Sequence, residues 1–296
     1  MPLSVGHARR RTQGVAVREP NEEWVIEEGP SVRTAEPGEY LFHYTTLGAV
    51  LEHILPTRRL RFSKFSTMRD PRESKWAFAA SMWGESDGTE IYFQTLATLE
   101  HLKQTVRIIS FTADDEKGAF VDGVFARGFS HPRLWEQYAA DHRGVCLCFK
   151  KAPLLEEAMR LEPSLRHGPV VYRNGSIDLH ASNLDLNRVE AVGAEPALEQ
   201  HLSQHFHELF FTKLRDWETE FEYRLATRFY DNDVDIYLDV SASLDAVILG
   251  QLVARQYGPA FEALCKPEGP DLFHLEWSNG RPMVIRYSPA LARRRS

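Results

Sequence analysis

Cysteine is scarce in this chain, with three in 296 residues. Cys146, Cys148 and Cys265 form no C-x-x-C pair, so neither a disulfide framework nor a zinc ribbon is supported, and a reducing, cytoplasmic setting fits. Cys146 and Cys148 stand two apart in an apolar run and read as small buried hydrophobes on one face of a strand. Long apolar runs are also missing. Nothing approaches the length of a membrane span, and the start from Met1 to Arg9 lacks the apolar core of a signal peptide, so no membrane partner is expected. The chain has no phosphate loop, no G-x-G-x-x-G opening a helix, no H-E-x-x-H and no G-x-S-x-G, which removes the commonest nucleotide-binding, zinc-protease and serine-hydrolase signatures. Positive charge is not in excess either. Lys and Arg number 35 against 42 Asp and Glu, a net charge of −7, which argues against general nucleic-acid binding. The arginine runs at Arg9 to Arg11 and Arg293 to Arg295 read as solvated ends.

What is present is the composition of an ordinary globular chain, 43% hydrophobic and 26% charged. Residues 1–37 are rich in Arg, Glu, Pro and Gly without apolar periodicity and read as an irregular N-terminal extension; residues 38–290 read as one α+β domain. Tyr40 to Thr45 predicts a strand. Thr46 then caps a short helix carrying Leu47, Val50, Leu51, Ile54 and Leu55. Leu60 to Phe65 predicts a second strand running into an Asp70-Pro71 turn. Helices are expected near Lys75 to Met82 and over Pro132 to His142, strands at Val106 to Thr112 and Val145 to Phe149, and a long amphipathic helix from Glu195 to Arg215. Short strands follow at Asp235 to Val240, Ala246 to Leu249, Phe273 to Trp277 and Met283 to Tyr287, with a helix near Pro259 to Cys265. Hairpin-length links predict a mixed, largely antiparallel sheet, possible as a split β-sandwich, with flanking helices.

The segment Asp216 to Leu225 reads as a strand of opposed faces. Phe221, Tyr223 and Leu225 point one way, and Glu220, Glu222 and Arg224 the other. Two carboxylates one strand repeat apart repel, and the guanidinium offsets part of that repulsion. The stripe is therefore either a solvated salt-bridge face or a site.

Several separated motifs resemble one family when taken in order. They are Phe42-His43-Tyr44-Thr45, Phe65 to Asp70-Pro71 with Glu73, Ser110-Phe111, Trp135-x-x-Tyr138 with His142-x-Gly144, and Lys213 with Trp217, Glu220, Glu222 and Arg224. Together, over about Tyr40 to Gly250, they resemble the bacterial domain-of-unknown-function 2971 (DUF2971) family, with Arg69 where its members usually show Asn. That family's name implies no activity. A second resemblance supplies a mechanism. A His-Tyr-Thr strand leading into a helix, a Ser-rich second strand (Ser63, Ser66, Thr67) and a late Glu-x-Glu are similar to the layout of NAD-dependent ADP-ribosyltransferases. The resemblance implies NAD as cofactor, held by His43, Tyr44, Thr45, Arg61, Ser63, Trp135, Tyr138 and Arg224. His43 would hold the ribose and an aromatic ring would stack on nicotinamide. Glu222 would stabilise the oxocarbenium-like centre, and Glu220 would orient or deprotonate an acceptor, macromolecular and unnamed by the sequence.

Two other functions use the same residues. A metal-dependent hydrolase or nuclease would draw ligands from His43, Asp70, Glu73, His142, Glu220 or Glu222, although no pair shows a recognised metal-ligand register and no metal is assigned. A binding or sensing module in a bacterial defence or toxin system would use the charged strand to recognise a partner. Bland readings stand beside these. His43 could be a satisfied core histidine, Trp135 and Tyr138 core aromatics, and Asp70 and Glu73 helix caps. Oligomeric state leaves no signal.

Overall fold

The computed structural model describes residues 16–17, 25–26, 32, 35–68, 70, 73, 79–81, 89–118, 123–176, 179–231, 234–265 and 269–287. Contacts divide the chain into Met1–Glu36 and Pro37–Ser296. In the first unit, where an irregular extension is expected, Ala16–Val17 and Val25–Ile26 pair as short antiparallel strands.

The second unit is built on a nine-stranded sheet. Its strands are β1 (Tyr40–Thr45), β2 (Ser63–Lys64), β3 (Val106–Thr112), β4 (Val145–Lys150), β5 (Arg166–Pro169), β6 (Glu222–Arg228), β7 (Leu244–Leu249), β8 (Asp271–Ser278) and β9 (Arg281–Arg286). They lie in the order β9-β8-β7-β4-β1-β3-β6-β5, with β2 also on β3. Only β7 and β8 run parallel; the other neighbours are antiparallel. The expected α+β class with a mixed, largely antiparallel sheet is what forms. The central strands β1 and β4 are buried on both faces, which explains their near-continuous apolar runs.

Helices cover both faces. They include α1 (Thr89–Thr105), α2 (Pro132–Tyr138), α3 (Lys151–Leu161), α4 (Leu186–Val192), α5 (Ala194–Gln204), α6 (Phe206–Phe210) and α7 (Gly258–Cys265). On one face Leu41, Ile109, Phe111, Leu147, Tyr223 and Leu225 pack with Val50, Ile54, Leu154 and Phe261. On the other, Val106, Ile108 and Ala226 pack with Leu99, Leu198, Leu202, Phe206 and Phe210. Each face thus buries its own apolar layer, the main stabilising term at about 25 cal/mol per Å² of apolar surface.

Four local expectations change, each for a tertiary reason. Ala79–Ser81 is not the end of a helix from Lys75 to Met82 but a strand, parallel to Asn183–Asp185; the remainder of that segment lies outside the described residues, as do Arg69 and Pro71. The helix expected over Pro132 to His142 stops at Tyr138, because Ala140, Asp141 and His142 take φ of 48°, 53° and 63°. Such a left-handed run is unfavourable for L-residues and is held here by outside contacts. Leu252 N donates to His142 O at 3.0 Å and Gly250 N to Gly144 O at 2.9 Å. A Cβ on Gly144 would lie 2.2 Å from Thr45 O, and one on Gly250 would lie 2.3 Å from His142 O. The helix expected over Glu195 to Arg215 breaks at His205 and ends at Phe210, and Thr212–Leu214 leaves as a strand parallel to Val171–Arg173. Finally, Arg215–Glu220 winds as a 3-10 helix, Phe221 takes a left-handed φ of 46°, and β6 begins only at Glu222.

Candidate functional site

The kink at Phe221 decides the geometry of the acidic pair. Glu220 ends the 3-10 helix and Glu222 opens β6, so they do not share one regular strand face. Phe221 is held by its amide, which donates to Glu218 O at 3.3 Å, and by its carbonyl, which accepts from Ala113 N at 2.8 Å; the His131 ring stacks on its side chain with centroids 5.2 Å apart. This turn lets both carboxylates reach one ammonium. Lys213 Nζ donates to Glu220 Oε2 at 2.7 Å and to Glu222 Oε2 at 3.0 Å.

The charged stripe is not a solvated face. Glu220, Glu222 and Arg224 are 4%, 5% and 0% exposed. Arg224 Nε donates to Glu222 Oε1 at 2.6 Å, Nη2 to Glu222 Oε2 at 3.0 Å and Nη1 to Phe210 O at 2.6 Å. Its Nη2 also pairs with the buried Glu73, whose amide donates to Asp70 O at 2.9 Å. Three carboxylates thus share two cations, and a buried centre of that kind is costly compared with apolar packing of the same volume.

The two halves of the centre are loaded differently. Burial pushes the Glu222 carboxyl up, but Arg224, Lys213 and the Ser110 hydroxyl together hold it down at about 2. Glu73 goes the other way: burial raises it, and Arg224 recovers only part of the shift. Burial also pulls Lys213 down, yet Glu222, Glu220 and Glu73 leave it raised, so its ammonium is secure. Glu220 takes one donor on each oxygen, Lys213 on Oε2 and the Tyr138 hydroxyl on Oε1 at 2.6 Å.

Half-buried Tyr138 and Trp217 stand at that lighter end. Trp217 is half-buried, with Lys213 Nζ 5.0 Å and Arg133 Cζ 5.8 Å from its ring centroid. Exposed Arg133 Nη1 donates to Thr219 Oγ1 at 3.3 Å, joining the start of α2 to the 3-10 helix. Tyr172 flanks the other side. It stands opposite Lys213 in the parallel pair Val171–Arg173 and Thr212–Leu214, and its hydroxyl accepts from Glu222 N at 2.8 Å.

Of the residues the sequence nominates, Tyr138, Glu220, Glu222 and Arg224 come together, with Glu73. His43 does not join them. Register pairs Phe42 and Glu222 each with Thr112, which puts those three on one face of the sheet, and strict alternation puts His43 on the opposite face. There its Nδ1 lies 2.9 Å from Ser110 O and its ring packs on Phe111, so it is a satisfied histidine whose pKa burial lowers. Tyr44 and Trp135 pack against each other in the core; Tyr44 donates to Gly128 O at 2.6 Å and Trp135 Nε1 to Phe129 O at 2.7 Å, so neither of these two rings is open to nicotinamide. Arg61 is exposed and paired with Asp235 on a separate ribbon, Ser63 pairs with Ile108 on β3, and Thr45 ends β1 beside Gly144. Of the residues expected to hold NAD, Tyr138 and Arg224 join the acidic pair, and His43, Tyr44, Thr45, Arg61, Ser63 and Trp135 lie elsewhere. Among the described residues no group of three or more His, Cys, Asp or Glu is placed to hold a metal ion; Lys213 stands between Glu220 and Glu222 instead. Nor, among those residues, is any helix long and apolar enough to cross a membrane. Lys213, Trp217 and Ser110 were visible in the motif order without a role, and Tyr172 gave no signal.

Fold and site together define an α+β protein with a buried carboxylate, ammonium and guanidinium centre at the head of β6. Residues 134–225 match the family described as Protein of unknown function (DUF2971), a narrower span than Tyr40 to Gly250 but one that holds Trp135, Tyr138, Lys213, Trp217, Glu220, Glu222 and Arg224. That match supports the resemblance to DUF2971 for the motifs within its span. No curated protein and no solved structure matches it.

Proposed function

We propose that the chain is a glycosyl-transferring enzyme of the ADP-ribosyltransferase type, with Glu220, Glu222, Lys213 and Tyr138 as its centre. One observation carries this reading: two carboxylates on a single ammonium, one saturated with donors and the other lightly held. Displacement at an oxocarbenium-like carbon needs a permanent negative charge to oppose the developing positive one, and a second group able to take the acceptor's proton. Glu222, ionised down to about pH 2, suits the first role. Glu220 suits the second, since Tyr138 and Lys213 orient it without occupying every lone pair. Lys213 keeps the two acids together against their repulsion, and Arg224 with Glu73 fixes Glu222 from behind. His43 has no part.

NAD is the donor to test first, by measuring nicotinamide release with the purified chain. Glu220→Gln should lose about 10²–10⁴-fold in turnover, the range of a general base, while keeping the circular dichroism of the wild type. Tyr138→Phe should lose less and shift the pH profile. No nicotinamide release at millimolar NAD, with or without cell extract as acceptor, overturns the reading.

A further inference from the structure

We propose that Tyr172 is a substrate-contacting residue of this centre, donating its hydroxyl proton to a hydroxyl oxygen of the sugar undergoing transfer. The inference rests on the glycosyl-transfer reading and adds a specificity contact to it. A phenol offers one proton and two lone pairs. One lone pair is taken by Glu222 N at 2.8 Å, which fixes the oxygen beside the acidic pair. The proton has no acceptor among the described residues, in contrast to Tyr138, whose proton goes to Glu220. Tyr172 is half-buried, so a ligand atom can reach that proton.

The surroundings select the class of acceptor atom. Both cations of the centre, Lys213 and Arg224, are already paired with its carboxylates, Glu73, Glu220 and Glu222. A phosphate oxygen would be repelled there, while a neutral sugar hydroxyl would not. Burial, opposed in part by the Glu222 amide, raises the phenol's pKa, so the group stays protonated and works as a donor. Register holds it in place: Tyr172 is paired directly with Lys213, the residue that bridges both acids.

The test is steady-state turnover of NAD by the full chain and its Tyr172→Phe variant, each also assayed with donor analogues that lack one hydroxyl of the reacting ribose. The variant should lose about tenfold in kcat/KM on NAD, the worth of one hydrogen bond. It should lose nothing further on the analogue that lacks the partner hydroxyl. Equal losses on every donor would mean that Tyr172 only supports the Glu222 amide, and no loss on NAD would mean that it touches nothing; either overturns the proposal while glycosyl transfer stands. Wild-type chain that releases no nicotinamide overturns both.

Discussion

Replacing Arg224 with leucine would leave two carboxylates, Glu222 and Glu73, inside the protein without their shared cation. Arg224 is fully buried, holds Glu222 through two nitrogens and reaches Phe210 O with the third. Removing one partner of such a buried pair costs about 3–5 kcal/mol, because the charge left behind is uncompensated. The depressed Glu222 carboxyl points to the same order of magnitude. Glu222 titrates at about 2 in the folded chain against an ordinary 4.5, a difference worth about 3 kcal/mol. Since its folded value is the lower one, that stability is present above the ordinary carboxylate value and is lost as the pH falls from about 4.5 toward about 2. Without Arg224 burial weighs more on Glu222 and Glu73 and both carboxyls move up, so acidification should narrow the variant's deficit against the wild type. Urea unfolding followed by tryptophan fluorescence, at neutral pH and at about pH 5, measures both effects. A loss under about 1 kcal/mol with the wild-type pH slope would refute the argument, since it would mean that the centre is not held by charge pairing.

Three further variants have definite expected outcomes. His43→Gln should leave turnover unchanged, because His43 lies across the sheet from Glu222; a large loss of kcat would contradict that placement. The same variant should flatten the stability profile below pH 6.5: with the folded pKa lowered by burial, the stability His43 contributes is present above 6.5 and lost as the pH falls through the lower folded value, which acid titration of unfolding would show. Ala140→Gly, at an exposed residue with φ of 48°, should raise stability by about 1 kcal/mol in denaturant melts, since glycine accepts the left-handed region that alanine resists. Gly144→Ala should do the opposite by about 3 kcal/mol, because its Cβ would meet Thr45 O at 2.2 Å between two anchored strands.

The strands of the sheet's centre were readable because burial on both sides demands apolar runs, as in Val145 to Phe149 and Val106 to Thr112. Helix α1 went unread because its buried positions include Thr95, Lys103 and Thr105, which break the apolar stripe. Of the site, Glu220, Glu222 and Arg224 stood out as an odd cluster of charge, and Tyr138 through its motif. Their burial could not be foreseen, since it depends on Lys213 and Glu73 arriving from other segments. The single left-handed residue at Phe221 was equally invisible, because bulky residues seldom adopt that conformation and no local signal marks it. Tyr172 reaches the centre only through a parallel pairing with Lys213, a contact that neither segment announces.

The centre joins groups that lie far apart along the chain. Tyr138 and Glu220 are 82 residues apart, and Tyr172 and Glu222 are 50 apart. Long loops must close before such contacts form, so they belong to the slow end of folding. In a partly folded chain the same acids and cations would still be hydrated and unpaired. The charged centre is therefore a product of completed assembly, and refolding experiments should see activity return after the sheet's far-ultraviolet signal, not with it.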